Sequence, residues 1–178
     1  MTNDKLELKV FLTNSSKYAE GELCGKWVEV LTSTNWEKEL QEIGIDGVKY
    51  EEYFITDFDC NFGLELGEYS FIAELQALAE KIEELNKDCV GSDILSGLLE
   101  LTGNDFDNAY NHVIDGDYFY IPDVSDESDI GYYLVDEGLF GEVPEEVAMY
   151  LDYKAIGRDY IINSAGTFTN NGYVSIAN

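Results

Sequence analysis

The sequence predicts an α+β fold, and three observations carry that expectation. Strand-like segments surround one short helix over the first 60 residues, a long amphipathic helix follows, and helical segments then mix with a strand and a Gly/Asn-rich tail. Leu6 to Leu12 (LELKVFL) partly alternates apolar and polar residues and reads as a strand. Gly21 to Leu31, with Trp27-Val-Glu-Val-Leu, reads as a second. Trp36 to Ile43 has the character of a short helix stopped by Gly44. Tyr50 to Cys60 is rich in aromatic and β-branched residues and reads as a third strand. These elements form a small N-terminal α+β unit with an antiparallel sheet.

The clearest helix runs from Phe71 to Leu85, with Phe71, Ile72, Leu75, Leu78, Ala79, Ile82 and Leu85 on one stripe and charged residues outside it. Ser92 to Leu101 reads as a shorter helix, and a third is expected to start at Asn104 as N-cap, with Phe106, Ala109, Tyr110 and Val113 on one face. Asp117 to Ile121 reads as a strand ended by Pro122, and Asp126 to Glu137 as a helix bringing Ile130, Tyr133 and Leu134 together. Pro144 beside Glu145 and Glu146 is a first-turn signature for a helix through Leu151. The uncharged tail from Ser164 is either a hairpin or frayed.

Charge narrows the functional classes. The chain has 178 residues, with 37 acidic against 10 basic and a net charge of −27. A hydrophobic fraction of 45%, 13% aromatic, excludes wholesale disorder. Direct binding to nucleic acid requires a basic footprint that is missing, and an anionic membrane surface would repel the chain. No stretch approaches the roughly 20 apolar residues of a membrane span. The charged start, MTNDKLELKV, lacks the apolar run of a secretion signal, so a cytoplasmic protein is expected. Cys24, Cys60 and Cys89 are widely spaced, without CxxC pairs, and read as reduced thiols.

The layout of the charge is more informative than its sum. Six of the nine lysines fall in the first 50 residues, whereas Asp88 to Tyr153 has no Lys or Arg and 17 acidic residues. Those acids are interleaved with apolar residues, so a folded surface has to hold them against self-repulsion. Solubility needs a net charge of only about 2–8 on a small domain. B-DNA carries one charge per roughly 1.7 Å of axis, so −27 matches about 46 Å of duplex. A compact chain of this length is about 40 Å across. The charge density is therefore comparable to that of DNA.

Catalytic chemistry has little support. His112 is the only histidine, and nothing indicates which cysteine would stand near it. Phosphate-binding glycine loops and HExxH are missing, and no cofactor or metal is expected. Asp126 to Glu137 places Asp, Ser, Gly and Glu at positions 1, 3, 6 and 12 of an EF-hand loop. Ile130 stands at position 5, where an oxygen ligand is needed, and the stretch reads better as a helix.

Two stretches resemble a known family. Val10 to Trp27 (VFLTNSSKYAEGELCGKW) and Glu142 to Tyr160 (EVPEEVAMYLDYKAIGRDY) are similar to the N-terminal signature and the antirestriction motif of the ArdA antirestriction proteins. Lys154 stands where many relatives are expected to have an acid. The resemblance implies an elongated, curved homodimer of three small domains, expected at 1–61, 62–103 and 104–178 and joined through the last. It implies a DNA mimic, not an enzyme, that occupies the DNA groove of type I restriction–modification enzymes and protects incoming mobile DNA such as a conjugative transposon. Asp105, Asp107, Asp115, Asp117, Asp123, Asp126, Glu127 and Asp129 form the expected contact set. Tyr150, Asp152, Tyr153, Ala155, Arg158 and Asp159 form the expected motif and dimer-interface set; in a competing reading of the stretch Ala148, Leu151, Ala155 and Ile156 are core or dimer contacts, with Arg158 pairing a carboxylate such as Asp152 or Asp159. An acidic module for another basic DNA-binding protein is the alternative.

Overall fold

The computed structural model describes residues 5–177, which form an α+β chain with two small antiparallel sheets. The chain divides into two compact units, Met1–Ser92 and Asp93–Asn178. The division falls inside the segment 62–103 expected as a middle domain.

The N-terminal unit is built on a sheet of order β2-β1-β3, formed by β1 (Leu8–Asn14), β2 (Gly25–Glu29) and β3 (Tyr53–Cys60). The period-2 pattern of β1 sends Leu8, Val10 and Leu12 to a buried face with Val28 and Ile55. The first strand begins two residues later than expected and runs on to Asn14, whose side chain accepts the Lys17 N–H and caps a short helix α1 (Ser15–Ala19) that periodicity did not suggest. Helix α2 (Trp36–Glu42) stops where expected: Gly44, at φ +82°, takes the left-handed conformation that ends it. Helix α3 (Ile72–Lys87) buries Leu75, Ala79, Ile82 and Leu85 of the stripe read from the sequence, whereas Phe71, read as its first member, is the N-cap and 68% exposed. Asn86 ties its end to the start of β1, accepting the Leu6 N–H at 2.7 Å and donating to the Leu6 carbonyl at 3.1 Å.

The C-terminal unit contains α4 (Ser92–Leu101, first residue aside), α5 (Phe106–Asp115), β4 (Tyr118–Pro122), α6 (Glu127–Asp136), α7 (Glu145–Ala148), α8 (Tyr153–Asn163), β5 (Ala165–Thr169) and β6 (Gly172–Ile176). Its sheet has the order β4-β6-β5. The tail is a hairpin, not frayed: β5 and β6 pair through a two-residue Asn170–Asn171 turn, and β6 is the central, most buried strand. Pro122, expected to end the strand after Ile121, is itself the strand's last residue, opposite Gly172. Tyr173 and Ile121 face a core with Val124, Ile130 and Leu134, against which Tyr133, Ile156 and Tyr160 pack. Val174 faces the other way, where Gly97 of α4 leaves room for its side chain.

The boundaries of α5 and α7 also differ from expectation. Asn104 is not the N-cap of α5; it sits at φ +65°, and Asp105 caps instead, accepting the Asn108 N–H at 3.0 Å. Helix α7 ends at Ala148 and not Leu151, and Pro144 is its N-cap. Asp152 then starts a separate helix by accepting the Ala155 N–H.

Candidate functional site

The acids of the C-terminal unit stand on short elements whose ends they help to form. Asp105 caps α5, Asp107 lies in its first turn and Asp115 is its last residue. Asp117 enters β4, and Asp123 leaves it at φ +58°, with its N–H donated to the Asn171 carbonyl at 2.8 Å. Asp126 caps α6 through Ser128 and Asp129 N–H groups at 2.7 and 3.0 Å, and Glu127 and Asp129 occupy the first turn. Asp105, Asp107, Asp126, Glu127 and Asp129 stand where the partial positive charge of a helix N-terminus stabilises carboxylates, whereas Asp115, at a helix C-terminus, does not. Asp105, Asp107, Asp115, Asp117, Asp123 and Asp126 are exposed, while Glu127 and Asp129 are half-buried.

Three of these carboxylates are held in place by the fold. Asp105 and Asp126 are fixed by their capping bonds. Asp129 accepts both the Ser125 N–H at 2.9 Å and the Ser125 hydroxyl at 2.8 Å, which hold its carboxyl below the usual range. Asp126 to Glu137 is therefore a capped helix and not an EF-hand loop: Oδ1 of the first Asp accepts two helix N–H groups.

Few cations offset this charge. Residues 93–178 contain seventeen acidic residues against Lys154 and Arg158, a net of −15. Lys154 lies 3.7 Å from Glu127. Arg158 is exposed, and among the described residues it forms no ion pair, contrary to the pairing expected with Asp152 or Asp159. The helix geometry explains this. Asp152 turns its carboxylate inward to the Ala155 N–H, and adjacent residues such as Arg158 and Asp159 point to different sides of a helix. The Asp159 carbonyl accepts the Asn163 side chain at 2.6 Å.

The rest of the motif divides between packing and surface. Tyr153 stacks on Tyr132 with ring centroids 3.8 Å apart, and its hydroxyl donates to the Ala148 carbonyl at 3.0 Å. Ala155 is half-buried, and Ile156 packs on the core. Tyr150 is 83% exposed beside exposed Val147 and Met149, with Leu139, Phe140 and Ile162 also exposed in the same unit. The structure brings α6 and α8 together at two glycines that sequence reasoning overlooked. A Cβ on Gly131 would collide with the Tyr153 carbonyl, and one on Gly157 with the Glu127 carbonyl. This reciprocal contact sets the helix bearing the acids directly on the helix bearing the motif. A glycine inside a helical pattern is unfavourable by itself, which was the available signal.

Among the described residues no three His, Cys, Asp or Glu side chains are grouped to hold a metal ion, and no helix is long and apolar enough to cross a membrane. No curated protein matches the chain. The family model described as antirestriction protein (ArdA) matches residues 10–175, nearly the whole sequence, and the chain belongs to that family of antirestriction proteins.

Proposed function

We propose that this antirestriction protein acts as a DNA mimic, occupying the DNA-binding groove of a type I restriction–modification enzyme. The supporting observation is the C-terminal unit, where seventeen acidic residues face two cations and several carboxylates are pinned at helix starts. Proteins that hold DNA draw much of their affinity from phosphate contacts by Lys and Arg. Carboxylates at phosphate-like positions engage the same cations, with bidentate geometry for Arg. Because the oxygens of Asp105, Asp126 and Asp129 are already ordered, binding avoids the entropic cost that a floppy acidic tail meets. The mimic has no scissile phosphodiester and no methylatable base, so both restriction and modification stall, and incoming mobile DNA is protected in the cytoplasm.

In the same reading the chain works as a homodimer of curved outline, with three small domains at 1–61, 62–103 and 104–178 and the interface in the last. The exposed apolar residues Leu139, Phe140, Met149, Tyr150 and Ile162 support self-association, since such surface in quantity marks contact sites. The test is a titration into a purified type I enzyme holding a labelled duplex, at two salt concentrations. Stoichiometric displacement that weakens as salt rises is expected. No displacement at low salt and high excess overturns the reading.

A further inference from the structure

The proposed mimicry uses acids, and leaves the Gly25-Lys-Trp27 part of the N-terminal signature without a role. The register of the N-terminal sheet supplies one. Directly opposed residues of antiparallel strands share a face. On the face of β1 opposite the core, one cross-strand row reads Glu29, Lys9, Asp59 and the next reads Trp27, Phe11, Asp57. Gly25 is required at its place, because a Cβ there would lie 2.5 Å from the Phe11 ring. Phe11 thus settles over β2 and meets Trp27 edge-to-face, with centroids 5.5 Å apart and planes at 78°.

The two tryptophans have opposite fates. Trp36 is 5% exposed in the core, whereas Trp27 keeps 46% of its surface open on this face. A single exposed apolar residue is unremarkable in general. Here the indole is backed by a second ring and flanked by carboxylates: Glu29 follows it two positions along the same strand, roughly 7 Å away, its exposed carboxylate in a long 3.9 Å pair with Lys9 that an arginine would share. Asp57 and Asp59 are exposed across the sheet. An arginine is the side chain that fits this combination, since its guanidinium stacks flat on an indole while its edge pairs with a carboxylate.

We propose that the Trp27 face is a second contact surface for a basic protein partner, binding an arginine by stacking on the indole and pairing with Glu29. The inference rests on the DNA-mimic reading above, which supplies an arginine-bearing groove as the occupant. It differs in kind from the contacts of the C-terminal unit: stacking is insensitive to salt, whereas carboxylate–cation contacts are screened.

The experiment is the same DNA displacement from the purified type I enzyme, with wild type, Trp27→Ala and Trp27→Leu. Leucine covers Phe11 but has no π face, so it separates packing from stacking. Emission from buried Trp36 shows that the N-terminal unit of each variant is folded. Both variants are expected to need about ten-fold more protein for half-displacement, as interface aromatic anchors do. The slope of log affinity against log salt should stay at the wild-type value. Glu29→Gln, which removes the carboxylate that pairs with the arginine, should instead flatten that slope. Displacement by wild type with folded Trp27 variants that match it overturns this inference alone. A shift in self-association of Trp27→Ala at unchanged displacement also overturns it, by assigning the face to a second copy. Failure of wild type to displace DNA removes the underlying reading.

Discussion

The two units have similar net charges and manage them in opposite ways. Residues 1–92 contain 20 acidic and 8 basic residues, a net of −12, against −15 for residues 93–178. In the first unit the lysines are spread through the acids and paired with them. Lys26 meets Glu39 and Glu42, Lys38 meets Glu42, Lys49 meets Glu20, and Lys87 meets Glu83. In the second unit Lys154 pairs with Glu127. Exposed pairs of this kind stabilise little individually. What they change is the field: the N-terminal surface is acidic but mixed, and the C-terminal surface is acidic with only two cations, Lys154 and Arg158. A net charge by itself would not distinguish them.

The largest expected effect falls on the C-terminal unit alone. Gly157→Ala forces α8 away from the Glu127 carbonyl and should destabilise that unit by about 3 kcal/mol or more. Amide exchange in α6 and α8 reads the loss. Both tryptophans lie in the N-terminal unit, so their emission should report a transition that the substitution leaves in place. A common shift of both signals would show that the two units unfold together.

Next in size is the cap. Asp126→Ala leaves the Ser128 and Asp129 N–H groups without their acceptor and should cost about 1 kcal/mol, read as the denaturation midpoint. It also removes one pinned acid, so DNA displacement should weaken and its salt slope flatten.

Acidification sharpens the comparison further. In the N-terminal unit Asp46 is held below the usual carboxylate range, first by the Tyr50 N–H and then by those of Val48 and Lys49. Glu42 is lowered chiefly by the Lys26 hydrogen bond and Glu83 by that from Lys87. In the C-terminal unit Asp129 is lowered by Ser125. A depressed carboxylate stabilises the fold above its unfolded value, near 4, and that contribution is lost as pH falls through the folded value. The N-terminal unit should therefore lose more stability below about pH 4, while protonation relieves repulsion in the C-terminal unit. Melting followed by tryptophan emission and by amide exchange in α6 and α8, from pH 5 to pH 3, checks the difference.

The smallest effect is expected at Lys154. Its pair with Glu127 is largely exposed, so Lys154→Ala should change stability by less than about 1 kcal/mol. It also frees Glu127 and leaves Arg158 as the unit's last cation, so displacement of DNA at low salt should strengthen.

Much of the fold was legible because its elements follow simple periodicities. The α3 stripe from Leu75 to Leu85, the α4 range, and Ile130 with Leu134 on α6 are as read, since burial of one helix face leaves a 3.6-residue pattern, while Phe71 at the edge of the stripe is exposed. Helix α1 escaped because five residues with no buried side chain leave no pattern; an Asn14 cap alone marks it. The N-cap of α5 was misplaced by one residue because Asn104 and Asp105 are both good caps, and only backbone conformation separates them. The acids were visible as composition, and their exposure follows from charge. Which of them are pinned was not visible, because Ser125 with Asp129 depends on how the turn before α6 closes.

The sequence by itself determined the sign and distribution of charge, the positions of the long helices and the family signatures, all of which are properties of residues near one another along the chain. Tertiary structure decided the rest. It set Trp27 out and Trp36 in, although both are tryptophans in the same unit. It turned Asp152 to a helix N–H and, among the described residues, left Arg158 without an ion pair. It brought Gly131 to Tyr153 and Gly157 to Glu127, contacts between residues more than 20 positions apart. The physical reason is the same in each case: close packing selects which faces meet, and that choice depends on the whole set of side chains that must fit together.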